Sequence, residues 1–194
     1  MIDFAAQDFH PVVHLPTDYE VLDFSTGAPA ERLSDSAFTI GRYDEDRSIY
    51  TDALFSGGRS IHMGIDVGAP VGTPVHAFGE GRIFKQGYNG AVGDYGYTLV
   101  THHVLGGIDL WALHGHLSAE SVVLRAEGAA VQRGEVIGWI GPEDENGGWP
   151  PHLHVQLSSR RPETHDLPGV VTAAERQLAL RDFPDPRLVL GPIY

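Results

Sequence analysis

Residues 150–157 read Pro-Pro-His-Leu-His-Val-Gln-Leu. The apolar run after the paired prolines reads as a β-strand, and side chains alternate across a strand. His152 and His154 are two apart, so they share one face and can reach into one cleft. Residues 111–118, Trp-Ala-Leu-His-Gly-His-Leu-Ser, repeat that spacing at His114 and His116 in another apolar segment.

A third cluster, Ile-His-Met-Gly-Ile-Asp at residues 61–66, places His62 and Asp66 four apart. That spacing suits one helix face, but Gly64, the β-branched Ile61, Ile65 and Val67, and the following Gly-Ala-Pro-Val-Gly-Thr-Pro oppose a helix. On a straight strand the two side chains stand about four rises of ~3.3 Å apart, too far to share an ion. A shared site therefore requires a bend, and Gly64 is the residue that permits it.

The chain has no cysteine, which excludes a closed thiolate zinc site. Imidazole and carboxylate remain, and two histidines with one aspartate leave a fourth zinc position open, the pattern of a catalytic rather than a structural centre. The remaining histidines are then candidates to move protons or steady an oxyanion. Spacing alone does not assign those jobs. Taken singly, His114 and His116 read as ordinary strand histidines and His62 with Asp66 as a chance pairing; the three clusters together read as one site.

At these residues the chain resembles the lysostaphin/LytM-type zinc metalloendopeptidases. His62 and Asp66 fit the His-x-x-x-Asp motif of that family, and His152 with His154 fits its His-x-His motif. Gly-His-Leu-Ser at 115–118 resembles Tyr-x-His-Leu, with His114 in place of the usual tyrosine. Glycine-rich stretches at 68–83, 93–103 and 128–141 follow in the expected order. The resemblance implies that His62, Asp66 and His154 bind one zinc per chain and that His116 and His152 flank the catalytic water. It implies as substrate a peptide or peptidoglycan-derived bridge or stem, often beside glycine or D-alanine. In fold it implies a mainly β, LytM-like duplicated hybrid motif of antiparallel sheets. The loop Asn-Gly-Gly-Trp-Pro-Pro at 146–151, Gly-Asp-Tyr-Gly at 93–96 and the tail 184–191 carry a second resemblance. They look like the peptidase-like module fused to phosphotransferase and class-III aminotransferase modules, which implies an intracellular substrate other than cell wall.

The rest of the chain is consistent with one globular domain. Twenty-four glycines and thirteen prolines point to many turns between short strands. We expect an extension over residues 1–55, a core over 56–160 and a tail over 161–194. Within the extension, the polar stretch 31–48 is expected to wrap the core or cover one edge. In the tail, Thr172 and Glu175 form a capping-box pattern ahead of one short helix that Pro184 and Pro186 stop. Residues 72–83 and 128–141 look like two copies of one half-motif. His102 and His103 are read as structural, His10, His14, His76 and His165 as structural or solvated, and Trp149 and Tyr95 as cleft or packing residues.

A net charge of −13 opposes nucleic acid or an anionic membrane as partner. No apolar stretch reaches transmembrane length, and residues 1–13 lack a basic and apolar leader. The expectation from the residues as written is a cytoplasmic protein, or an exported one if a leader was removed. Rival readings are a binding module of the same fold, a histidine phosphocarrier and a lipoyl-type carrier. The phosphocarrier needs neither the third cluster nor an aspartate, and the lipoyl carrier needs its lysine at a hairpin tip, whereas the sole lysine, Lys85, lies in an apolar run.

Overall fold

The computed structural model describes residues 2–34 and 37–194; Asp35 and Ser36 of the polar stretch 31–48 lie outside them. Residues before the core supply three short strands: β1 (Glu20–Val21), β2 (Thr39–Gly41) and β3 (Glu45–Asp46). Then come β4 (Arg59–His62), β5 (Ile65–Gly68), β6 (Pro74–His76), β7 (Gly81–Asn89), β8 (Gly96–Leu105) and β9 (Ile108–Leu117). A single-turn helix α1 (Ser121–Leu124) precedes β10 (Ala130–Val131), β11 (Val136–Trp139), β12 (His152–Ser158) and β13 (Val170–Thr172). Eight strands form one open sheet in the order β1-β2-β5-β12-β9-β8-β7-β10; β11 with β6, and β13-β4-β3, make two smaller sheets. The architecture is mainly β, as expected, and among the described residues its pairings are antiparallel apart from the two-residue β1·β2 contact.

The duplicated half-motifs account for part of this topology. The first supplies β6 and the start of β7, the second β10 and β11, and they pair crosswise, β10 on β7 and β11 on β6. Between the β6·β11 pair and the large sheet lies the main core, which includes Ile65, Val67, Val75, Leu99, Ile137, Leu153, Val155 and Leu157.

Strand β12 is where sequence pattern and core meet. Leu153, Val155 and Leu157 enter the main core, while His152 and His154 face a cavity on the other side. Burying each of those aliphatic side chains stabilises the register by roughly 1.5–3 kcal/mol. A one-residue slip would drive imidazoles into the core and leucines into the cavity.

The chain leaves one sheet for another between His62 and Ile65. β4 pairs with β3 and β13, whereas β5 pairs with β2 and β12. Gly64 lies in that crossing, but not for its torsional freedom, since it has no positive φ. A Cβ there would run into the His154 ring and approach the Val155 carbonyl to 2.9 Å.

In the tail, the Thr172 backbone N–H and Oγ1 donate to Glu175 Oε2 at 2.9 and 2.8 Å. These bonds close the turn leading into helix α2 (Arg176–Asp182), which starts one residue past Glu175. A further single turn, α3 (Arg187–Leu190), follows Pro186. Among the described residues no helix is long and apolar enough to cross a membrane.

Candidate metal centre

The end of β4, the start of β5 and β12 bring His62, Asp66 and His154 together, with Asp66 directly opposite His154 in the ladder. His62 Nε2 lies 3.0 Å from His154 Nδ1 and 3.3 Å from Asp66 Oδ1. The third edge, His154 Nδ1 to Asp66 Oδ1, is 3.1 Å. Zinc bonds of ~2.0–2.1 Å in a tetrahedron give ligand–ligand edges of about 3.3 Å, so the triangle has the size of one tetrahedral face.

Hydrogen-bond partners indicate which atoms of this triangle carry lone pairs. His62 Nδ1–H donates to the Arg42 carbonyl at 2.9 Å, which leaves Nε2 bare. Burial, and then the Arg47 charge, push the His62 pKa down to about 4, so its imidazole is neutral at pH 7. Gln156 Nε2 donates to the Pro168 carbonyl, which turns Gln156 Oε1 toward His154 Nε2 at 3.2 Å. His154 Nδ1 is then the bare nitrogen. Three acceptors this close, with no hydrogen among them, repel one another unless a cation sits between them. The donor set, two imidazoles and a carboxylate, suits zinc.

Asp66 is oriented by a residue that no local sequence pattern marks. Arg47 Nη1 donates to Asp66 Oδ2 at 2.6 Å, leaving Oδ1 for the triangle. Arg47 is itself buried, bonding Glu45 Oε2 at 2.8 Å through Nε and the Arg42 carbonyl at 3.0 Å through Nη2. Burial works to raise the Asp66 pKa, but His62 and the Arg47 guanidinium more than offset it, and the carboxyl stays well below its usual range. Such outer partners fix ligand orientation and basicity.

His116 and His152 stand beside the triangle with ring centroids 4.1 Å apart. Each donates Nδ1–H to a backbone carbonyl, His116 to Asn146 at 2.7 Å and His152 to Pro150 at 2.7 Å. Both Nε2 atoms are therefore bare, and that of His152 is 3.8 Å from Asp66 Oδ1. Burial lowers both pKa values, that of His116 well below the ordinary range. His116 has φ 62°, a left-handed conformation that costs a non-glycine residue energy and clusters at functional sites. The Asn146 side chain ties together the loop behind it, donating to the Gly141 and Trp149 carbonyls and accepting the Trp149 N–H at 3.0 Å.

His114 departs from expectation. The β8·β9 register shifts between Tyr97↔Leu117 and Leu99↔His114, so a bulge at Gly115–His116 breaks the two-residue alternation. His116 lines the cavity with His152 and His154, and His114 does not. His114 is buried, with Nδ1 3.3 Å from the Leu99 carbonyl and Nε2 without a partner among the described residues.

All five remaining candidates, His62, Asp66, His116, His152 and His154, line one cavity of about 140 Å³. Tyr50 and Phe55 from the N-terminal segment, with rings 4.6 Å apart, and Trp149 at 6.2 Å from Tyr50 make an aromatic wall. Tyr95 also lines it, its hydroxyl shared between Gln156 Oε1 and the Leu167 carbonyl. His102 bonds Asp109 and stacks on Trp111, and His103 bonds the Glu80 carbonyl and Thr101; both are structural. Sequence reading missed Arg47, Gln156 and Asn146. Gln156 carried a signal, since it lies two residues past His154 on the same strand face; Arg47 had none.

The description of peptidase family M23 matches residues 60–165. The DD-carboxypeptidase/endopeptidase Mpg of Neisseria meningitidis serogroup B is 42% identical over 96 residues, covering 50% of this chain and 20% of the relative. The peptidoglycan DD-endopeptidase ShyC of Vibrio cholerae is 32% identical over 122 residues, 58% of this chain and 24% of that one. The aligned part thus spans about a fifth to a quarter of the length of these curated relatives. Among solved structures, the catalytic domain of the prophage-encoded M23 protein EnpA from Enterococcus faecalis aligns at 25% identity with a TM-score of 0.48, covering 71% of this chain and 89% of that one.

Proposed function

This chain belongs to peptidase family M23, and from that premise we propose that it is a zinc-dependent endopeptidase acting on short peptides of the bacterial cell wall. The convergence of His62 Nε2, Asp66 Oδ1 and His154 Nδ1 as unprotonated donors carries the proposal. These three residues would hold the ion. When bound, zinc supplies Lewis acidity toward water and toward an amide carbonyl.

The chain supplies the proton chemistry. His116 and His152 present bare Nε2 atoms because each Nδ1–H is spent on a backbone carbonyl. One of the pair takes a proton from the attacking water at Nε2, and the resulting Nε2–H steadies the tetrahedral oxyanion before that same proton goes to the leaving amine. Burial disfavours either imidazolium, so the proton is passed on rather than kept. The aromatic wall offers apolar surface for the substrate on the side of Tyr50, Phe55 and Trp149.

The relatives are named for DD-endopeptidase and DD-carboxypeptidase activity, which supports D-amino-acid stem peptides and their cross-links as the substrates to try first. Purified disaccharide-peptide dimers, incubated with the zinc-loaded protein and followed by mass spectrometry, provide the test. Conversion to monomers by wild type, slowed about 10²–10⁴-fold in His116→Ala, is the expected result. A protein that carries zinc yet leaves every muropeptide intact would remove the cell-wall substrate.

A further inference from the structure

Away from the cavity, three histidines with no pattern in the sequence are brought together. The segment around His10–Val13 runs beside β6, with His10 N–H donating to the Phe78 carbonyl at 2.9 Å and His76 N–H to the Val12 carbonyl at 2.8 Å. Val12 and Val13 are buried in the main core and hold His10 and His14 out on either side of them, next to His76. Ring centroids of His10, His14 and His76 are 5.2, 5.3 and 4.9 Å apart, pairwise tilted or edge-on rather than stacked. One nitrogen from each ring lies within 4.8 Å of the other two.

The hydrogen bonds prepare two of these rings as ligands. His10 Nδ1–H donates to the Pro11 carbonyl at 2.8 Å, and His76 Nδ1–H points to the Val12 carbonyl at 3.4 Å. Both Nε2 atoms are left bare, with ring orientation fixed from behind as in metal-bound imidazoles. The His10 ring is further confined by Gly134, where a Cβ would come within 2.8 Å of it. His14 is exposed, and neither of its ring nitrogens has a protein hydrogen-bond partner among the described residues. Rotation of that exposed side chain changes its own two edges of the triangle, which can shorten toward the length of about 3.3 Å that a tetrahedral ion needs.

We propose that His10, His14 and His76 form a second metal site, separate from the cavity, which takes a divalent transition metal of the zinc or nickel class and pins the N-terminal segment to the two-stranded β6·β11 sheet. An all-imidazole set selects such ions over magnesium and calcium, which require oxygen ligands. The fourth position is open to water. Nothing in the reaction at the first centre depends on it.

Metal-free protein titrated with Zn²⁺, and separately with Ni²⁺, under calorimetry and with bound metal counted by mass spectrometry, tests the site. Wild type should take up two ions per chain, matching the two clusters. His14→Ala, which alters only an exposed side chain, should keep one ion and bind the second at least about tenfold more weakly. His154→Ala should conversely keep the ion at the three-histidine site. The zinc-bound form should also melt at a higher temperature than the metal-free form in His154→Ala, and this gain should vanish when His14→Ala is added. A single ion in wild type, a second ion retained undiminished by His14→Ala, or uptake only at millimolar metal, an adventitious ion only, would overturn the proposal.

Discussion

Arg47 Nη1 lies 2.6 Å from Asp66 Oδ2, and both side chains are buried. A residue of the N-terminal segment thus sets which carboxylate oxygen faces the histidines. Replacing it leaves two buried carboxylates, Asp66 and Glu45, without their shared cation. Breaking a buried ion pair from one side costs about 3–5 kcal/mol, and loss of an outer partner weakens metal binding roughly 10–100-fold. Arg47→Met should therefore lower stability in urea by several kcal/mol and weaken zinc in a chelator competition. Unchanged zinc affinity would reduce Arg47 to a structural role.

His116 is the sharper test of chemistry against binding. Its Nε2 is bare and its ring is 4.1 Å from His152, yet it is part of none of the three edges of the donor triangle. His116→Ala should leave the zinc content near wild type and lower kcat by about 10²–10⁴-fold, the range for a lost proton-transfer group. Metal content and turnover falling together would instead make it part of the ion site.

Much of this arrangement was readable because strand periodicity is local. His152 and His154 are two apart, and β12 keeps its register along its whole pairing with β5 and β9. The same logic failed one strand away, since His114-Gly115-His116 has the same spacing but contains a bulge, and a bulge follows from the β8 pairing rather than from the three residues themselves. The bend between His62 and Asp66 was legible, but for a different reason than the one that operates: Gly64 is required by the space the His154 ring takes, a contact across the fold. Arg47 and the trio of His10, His14 and His76 were invisible for that same cause. Their partners lie far along the chain, and no local pattern marks them.

Gly64→Ala turns that spatial argument into a measurement. The added methyl would collide with the His154 imidazole and the Val155 carbonyl, so either the ring or the β4–β5 crossing must move. Overpacking of this kind costs about 1–3 kcal/mol, and the shifted ring should no longer complete the triangle. Thermal melts and zinc counting should both fall. A variant that melts like wild type and holds its zinc would show that the crossing yields without cost.

Acid sensitivity should trace in part to His114. Burial pushes its pKa down to about 4, against about 6.5 in an unfolded chain. Below pH 6.5 the unfolded state binds the proton and the folded state resists it, so the contribution to stability is intact above about 6.5 and shrinks as pH falls toward 4. Between pH 7 and pH 5 this one group accounts for a loss on the order of 2 kcal/mol. His114→Leu removes the titration and also the partnerless Nε2, whose burial is itself unfavourable. Urea denaturation at the two pH values should give a drop smaller by that amount in the variant, with stability at pH 7 equal or higher. Taking the difference between variant and wild type cancels the other buried histidines, including those of the candidate metal centre. An identical pH dependence in the two proteins would mean that His114 takes up its proton in the folded state as readily as in water, which its full burial argues against.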